Sequence, residues 1–513
     1  GLEGMPEPAT PARPVILDLP ASPSLSIASN GPGVANALAG VAAENAEGNR
    51  VLLITSSRRG GITYPDRGGA YQYFNQVGVM KPMAKWSGSA AAFHRIPELM
   101  RRCLRLSYRG RPGVVHLDVP EDLMNGKDKA NGFLRPPQYR RIDPIHPGPE
   151  LVDRAATMLL EAELPLIHAG SGIIHAGAYD ELARLAEILH APVTTSWSAR
   201  GVLPESSALS WPMVHVKACN EVRNAADVVL CVGSRLGETD WWGKAPNWRL
   251  PAEQRLIQVD IDEEILGVHK PTTLTILADA KVFLGELLEK IQVKAHEIPM
   301  QARQQAVASL AKGRDKDRAK LDEKLSDKSV PMITAHVGAV CREVFDDDAV
   351  VIFDGGNTAV WGNFYHRIRV PNTQLSTHHF GMLGAGLGQA LGAAVARPGK
   401  QVYCITGDGA FGFHPQEIET AVRNRLNVVF LVICDRQWGM VKINQQFALR
   451  PVKTMIKKSL GPEETINTDL GEIAFDKLAE AMGAHGERVA DPGELRPALE
   501  RSLASEKCAV IHV

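Results

Sequence analysis

Two short, continuously apolar runs constrain the fold most: Gln401-Val-Tyr-Cys-Ile-Thr406 and Val428-Val-Phe-Leu-Val-Ile-Cys434, separated by a glycine-rich turn and a helix-prone stretch. Runs of this length, rich in β-branched residues, read as strands buried on both faces, the pattern of a parallel sheet. Pro415 opens the helical stretch Gln416 to Asn424, since proline is tolerated in a first turn whose N–H would be unpaired anyway. The unit is strand, turn, helix, strand. Gly407-Asp408-Gly409-Ala410-Phe411-Gly412 follows the first run and Asp435 closes the second. Both carboxylates thus fall at carboxyl ends of parallel strands, where open α/β sheets bind ligands.

Two chemistries suit that placement. The hexapeptide matches G-x-G-x-x-G, with Asp435 roughly where a ribose-binding acid is expected, which implies a dinucleotide dehydrogenase. Against this, Asp408 would aim a carboxylate at a pyrophosphate that needs bare N–H groups and a positive helix end. A divalent cation between the two removes the repulsion. Two Asp oxygens, phosphate oxygens, a backbone carbonyl and water make an all-oxygen shell suited to Mg²⁺.

The glycine-flanked Asp408, followed one strand later by Cys434-Asp435-Arg436-Gln437-Trp438-Gly439-Met440, resembles the diphosphate-binding motif of thiamine-diphosphate enzymes, in particular the acetolactate synthase and benzaldehyde lyase branch. The resemblance implies that Asp408, the Asp435 side chain and the Gln437 main-chain carbonyl are metal ligands, and that Gly407, Gly409, Ala410, Trp438, Gly439 and Met440 adjoin the cofactor. Many relatives carry Asn-Asn where this chain has Cys434-Asp435. Asp354-Gly-Gly-Asn-Thr358, after the apolar run Ala349 to Phe353, resembles the loop whose polar residues, here Asn357 and Thr358, reach the diphosphate. Gly381-Met382-Leu383-Gly384-Ala-Gly-Leu-Gly388 resembles the segment that passes between the cofactor's two rings; Leu383 is the expected wedge, with Gly381 and Met382 beside it. Ser29-Asn-Gly-Pro-Gly33, Ala70 to Val77 and Gly110 to Pro120 resemble the pyrimidine-binding domain. Gln72 is the expected hydrogen-bond donor near the reacting carbon. Trp438, Met440 and Phe447 are expected apolar walls, so Gln72, Leu383 and Trp438 form the catalytic set.

The family also uses a glutamate against the aminopyrimidine ring. Glu3, Glu7, Glu44 and Glu47 match no motif position for it, and the expectation is that the stretch carrying it is missing from this sequence. No acid or base is therefore assigned.

At 513 residues with 44% hydrophobic content, the chain can hold about three domains. The resemblance implies an α/β fold of three mostly parallel sheets flanked by helices: a pyrimidine-binding domain at 1–130, incomplete at its start, a middle domain at 150–295 and a diphosphate-binding domain at 330–513. Arg135 to Pro149 reads as a linker, and the charged, helix-prone 296–328 as a connector. In relatives the middle domain holds FAD, an ADP-type ligand or nothing; Gly170-Ser-Gly172 is a candidate phosphate turn. Net charge −1 gives no electrostatic case for nucleic acid or an anionic membrane. Seven cysteines without a C-x-x-C pair read as buried thiols, and the proline-rich opening is no signal peptide, so a cytoplasmic protein is expected. The resemblance implies a homodimer or homotetramer acting on 2-keto acids or aldehydes by C–C bond cleavage or formation. A decarboxylase or aldehyde lyase and a non-catalytic cofactor-binding protein are its alternatives.

Overall fold

Three sheets, parallel throughout, organise the chain. A computed structural model describes residues 24–129, 133–457 and 464–513. The first sheet has β1 (Ser24–Ala28), β2 (Val51–Ser57), β3 (Trp86–Ser89) and β4 (Val114–Pro120) in the order β1-β2-β4-β3. The second has β5 (Pro165–Ala169), β6 (Val193–Thr195), β7 (Ser210–Trp211), β8 (Val228–Val232), β9 (Arg255–Asp260) and β10 (Leu274–Leu277) in the order β10-β9-β8-β5-β6-β7. The third has β11 (Val350–Asp354), β12 (Gln374–Leu375), β13 (Val402–Gly407), β14 (Val428–Ile433), β15 (His485–Arg488) and β16 (Ala509–His512) in the order β12-β11-β13-β14-β16-β15.

The expected strand–turn–helix–strand unit is present as β13, the helix Glu417–Arg423 and β14. Its strands are apolar throughout because both faces are covered: Cys404, Phe430 and Val510 pack into one core, Tyr403, Leu431 and Ile511 into the other. Continuous apolar strands follow from that double burial.

Two compact units result. One comprises the described residues up to Ile145 with Ile261–Glu263 and Thr377–Met382; the other comprises His146–Asp260, Glu264–Ser376 and Leu383–Val513, hence both six-stranded sheets. The charged stretch read as a connector is the helix Met300–Leu325. It is tied down by Arg303, fully buried, whose guanidinium donates to the carbonyls of Leu159, Leu160, Ala162 and Leu189. Those carbonyls belong to the ends of the helices Pro149–Glu161 and Tyr179–Leu189, where orphan acceptors need donors. The seven cysteines are all free thiols, six of them buried. Among the described residues no helix is long and apolar enough to cross a membrane.

Candidate active site

In the third sheet the chain runs from β11 to β12 on one side and returns to β13 on the other. The carboxyl ends of β11 and β13 therefore flank a topological switch point, the crevice in which open α/β sheets hold ligands. Register brings the strand ends level, with Asp354 opposite Thr406 and Gly407 opposite Ile433.

Asp408 begins the turn after β13 and is buried. One of its oxygens accepts the Gly409 N–H (2.7 Å), the other the Arg436 N–H (2.8 Å). Arg436 adopts φ 56°, a left-handed conformation that few non-glycine residues take; this kink presents its N–H to Asp408. Asp435 is exposed and accepts the Gln437 N–H (3.2 Å). Trp438 N–H donates to Thr468 (2.8 Å), so the peptides around Gln437 are held on both sides. Desolvation pushes both carboxyls above the ordinary carboxylate range, and for Asp435 the charge of Asp408 adds to it. A carboxylate whose proton affinity is raised by a second carboxylate beside it suits a cation. Among the described residues no three His, Cys, Asp or Glu side chains form a metal cluster. A cation held by these two needs its remaining oxygens from main chain and phosphate, the donor set of Mg²⁺.

The other loops close in through glycines. A Cβ at Gly439 would lie 2.5 Å from Asn357 Nδ2 and 3.5 Å from Asp435 Oδ2; one at Gly407 would lie 3.0 Å from Thr358 Oγ1; one at Gly356 would lie 2.9 Å from Met440 Cβ. Trp438 covers Gly409, where a Cβ would lie 2.6 Å from the indole, and meets Phe413 edge-on at 5.9 Å. Asn357, Thr358, Trp438 and Met440 are thus brought against Gly439, Gly407, Gly409 and Gly356 at the strand ends that carry Asp408 and Asp435. Phe447 is exposed. Gln72, Gly381 and Met382 belong to the first compact unit. Gln72 is exposed there at φ 53°, with its carbonyl against Gly31. Glu3 and Glu7 lie outside the described residues; Glu44 is buried in the helix Pro32–Glu47, and Glu47 accepts the His379 and Phe380 N–H groups.

Sequence reasoning passed over Asp354. Its buried carboxylate accepts the N–H groups of Gly355 (2.6 Å), Gly384 (3.2 Å) and Gly386 (2.9 Å). Two of these donors open the helix Ala385–Ala396, directly after Leu383, so Asp354 caps that helix from a neighbouring strand. A Cβ at Gly386 would lie 2.5 Å from Asp354 Cβ, which explains the glycine. Burial pushes the Asp354 carboxyl up to about 6, despite the three donors.

Residues 354–513 match the C-terminal TPP binding domain of thiamine pyrophosphate enzymes, and residues 152–287 match their central domain. A 2-hydroxyacyl-CoA lyase of Arabidopsis thaliana is 30% identical over 96% of this chain and 85% of its own length. The chain belongs to the thiamine-diphosphate enzyme family. Acetolactate synthase large subunit IlvG of Mycobacterium tuberculosis is 29% identical over 96% of this chain and 84% of its own. Sulfoacetaldehyde acetyltransferase of Castellaniella defragrans is 30% identical over 95% and 82%. A solved Mycobacterium smegmatis structure, assigned as thiamin diphosphate-dependent, shares the fold at TM-score 0.76 and 20% identity, covering 98% of this chain and 89% of that one. Family membership displaces the dinucleotide reading of Gly407 to Gly412. In this thiamine-diphosphate enzyme the matched C-terminal domain begins at Asp354.

Proposed function

We propose that this enzyme depends on Mg²⁺ as well as thiamine diphosphate, and that it cleaves or joins a C–C bond next to a carbonyl in 2-keto acids or aldehydes, in the manner of acetolactate synthase. One observation carries the proposal: Asp408 and Asp435 follow the neighbouring strands β13 and β14 beside the switch point of the third sheet, close enough that, after burial, the charge of Asp408 raises the Asp435 carboxyl. The bound cofactor supplies the carbanion chemistry. Asp408, Asp435 and the Gln437 carbonyl would hold the metal. Asn357 and Thr358 would bind the diphosphate over the glycine floor of Gly407, Gly409 and Gly439, with Ala410 beneath. Leu383, carried on the turn that Asp354 fastens, would orient the rings, with Gly381 and Met382 at their side. Trp438 and Met440 would supply apolar walls that exclude water, and Gln72 would donate a hydrogen bond to the substrate.

On this reading the three sheets correspond to pyrimidine-binding, middle and diphosphate-binding domains, and the active unit is a homodimer or homotetramer. The names of the Arabidopsis and Castellaniella relatives support a second reading, a lyase or acyl transferase handling a 2-hydroxyacyl thioester or a substituted aldehyde. Incubating purified protein, thiamine diphosphate and Mg²⁺ with panels of 2-keto acids, aldehydes and 2-hydroxyacyl thioesters, and identifying products by mass spectrometry, distinguishes them. Turnover that persists after complete chelation of divalent cations would defeat the metal assignment.

A further inference from the structure

A second constellation lies in the same compact unit, at a cavity of about 140 Å³ lined by Arg200, Glu205, His215, Arg314, Arg318 and Arg367 among others. Its cations are not equally engaged. Arg200 pairs with Glu205 at 2.7 Å, and Arg314 donates to the carbonyls of Ala208 and Ser210 and to Asp315. Arg318 has one carboxylate, Asp322 at 2.5 Å, and its buried Nε lacks a hydrogen-bond partner. Arg367 has no side-chain hydrogen bond or ion pair among the described residues, and burial, then the charge of Arg318, holds it below the ordinary guanidinium range. His215 is only 7% exposed, and its ring likewise has no hydrogen-bond partner among the described residues. Burial, then the charge of Arg318, holds its imidazole below the ordinary range against the opposing charges of Asp317 and Glu205.

Adjacent guanidinium groups with spare donors around a cavity repel one another, and an anion seated between them relieves that repulsion. At about 30 Å³ per water, the cavity admits several waters or one tetrahedral oxyanion. The helix Asn357–Tyr365 begins at the crevice of the third sheet and ends at this cavity. At about 1.5 Å per residue its length keeps the two apart. We propose that Arg318, Arg367 and His215 form a binding site for a phosphate group, either free or as the end of a nucleotide.

The test uses protein saturated with thiamine diphosphate and Mg²⁺, so that the diphosphate site cannot answer for it. Inorganic phosphate and ADP are titrated calorimetrically in separate arms against a chloride control of equal ionic strength. Saturable phosphate binding is expected, weakened about ten- to a hundredfold in Arg367→Gln and in Arg318→Gln, with Arg367→Lys intermediate and cofactor content unchanged. Phosphate binding at least as well as ADP identifies a free oxyanion; tighter ADP binding with the same sensitivity to the variants identifies a nucleotide. No saturable heat from either ligand, or equal affinity in correctly folded variants, overturns the proposal. Circular dichroism establishes folding, and Arg367→Lys retains the charge if a glutamine variant fails to fold.

Discussion

Replacing Asp354 by asparagine separates the charge of this carboxyl from its shape. Its folded value of about 6 stands against about 3.9 for aspartate in an unfolded chain. Between those values the folded protein binds more protons than the unfolded one, so stability falls as pH rises, and the fall is complete above about pH 7. At about 1.4 kcal/mol per pH unit, the buried charge costs about 3 kcal/mol at neutral pH. The Asp354→Asn variant would keep the volume and lose the titration. The stability gap between the two proteins should therefore move by about 2 to 3 kcal/mol in the variant's favour from about pH 4 to about pH 7.5. Denaturant melts followed by tryptophan fluorescence across that range measure it. Function should move the other way. One of the acceptors that hold Gly384 and Gly386 becomes a donor, the turn carrying Leu383 loosens, and turnover at pH 7.5 falls while stability is retained. A stability gap that is constant with pH would show that Asp354 does not titrate between these values. Unchanged turnover would refute its hold on the turn.

Asp408→Ala should weaken thiamine diphosphate retention about ten- to a hundredfold with circular dichroism unchanged, and chelation of Mg²⁺ should reproduce the loss; wild-type retention in either case rules out the metal role. Leu383→Ala should lower turnover while leaving Mg²⁺ affinity intact. Leu383 is only partly buried, so the truncation should destabilise by less than the roughly 2 to 5 kcal/mol of a fully buried leucine; a large fall in stability at constant turnover would make it a plain core residue. Arg303→Met should lower stability by about 3 to 5 kcal/mol, because four helix-end carbonyls lose their donor inside the core; a melt within about 1 kcal/mol of wild type would show that water replaces the guanidinium. Gly172→Ala should destabilise by about 1 to 3 kcal/mol, since its Cβ would fall 2.5 Å from the Cα of Gly233, a result read from the same melts and contradicted by an unchanged midpoint.

What could be read in the sequence, and what could not, follows from where the information is stored. β11, β13 and β14 are legible because burial on both faces leaves each an unbroken apolar run, and Asp408 and Asp435 are legible because they end two of those runs. Asp354 ends the third in the same way, yet its role is invisible: its partners are backbone N–H groups about thirty positions away, which carry no side-chain signature. The only trace is the glycine at 386, and glycines there already had an explanation in the resemblance. Arg303 fails for a different reason. In a run dense with Gln, Lys, Arg and Asp it reads as one more solvated charge, and only the packing of two other helix ends against it turns it inward. The left-handed Arg436 has no local signal either, since arginine has no special tolerance for positive φ.

The two six-stranded sheets make the comparison sharper, because each has a switch point between neighbouring strands, β5 and β8 in one and β11 and β13 in the other, and the two crevices are finished differently. In the second sheet the turns that follow β5 and β8 carry Gly170, Gly172 and Gly233. There the glycines serve each other. Gly170 N–H donates to Val232 and Gly172 N–H to Gly233, and a Cβ on either glycine would run into the opposite turn. The N–H groups with which a G-x-G turn would greet a phosphate are thus engaged internally. In the third sheet the glycines instead admit side chains: Asn357 over Gly439, Thr358 over Gly407, Trp438 over Gly409. Several of the donors there end on the carboxylates of Asp354 and Asp408, and a carboxylate so held keeps lone pairs free for a cation. The same topology is closed in one sheet by backbone and opened in the other by Asp354, Asp408 and Asp435. The ligand chemistry of this chain is therefore decided by the residues that follow the strands, and only its location by the fold.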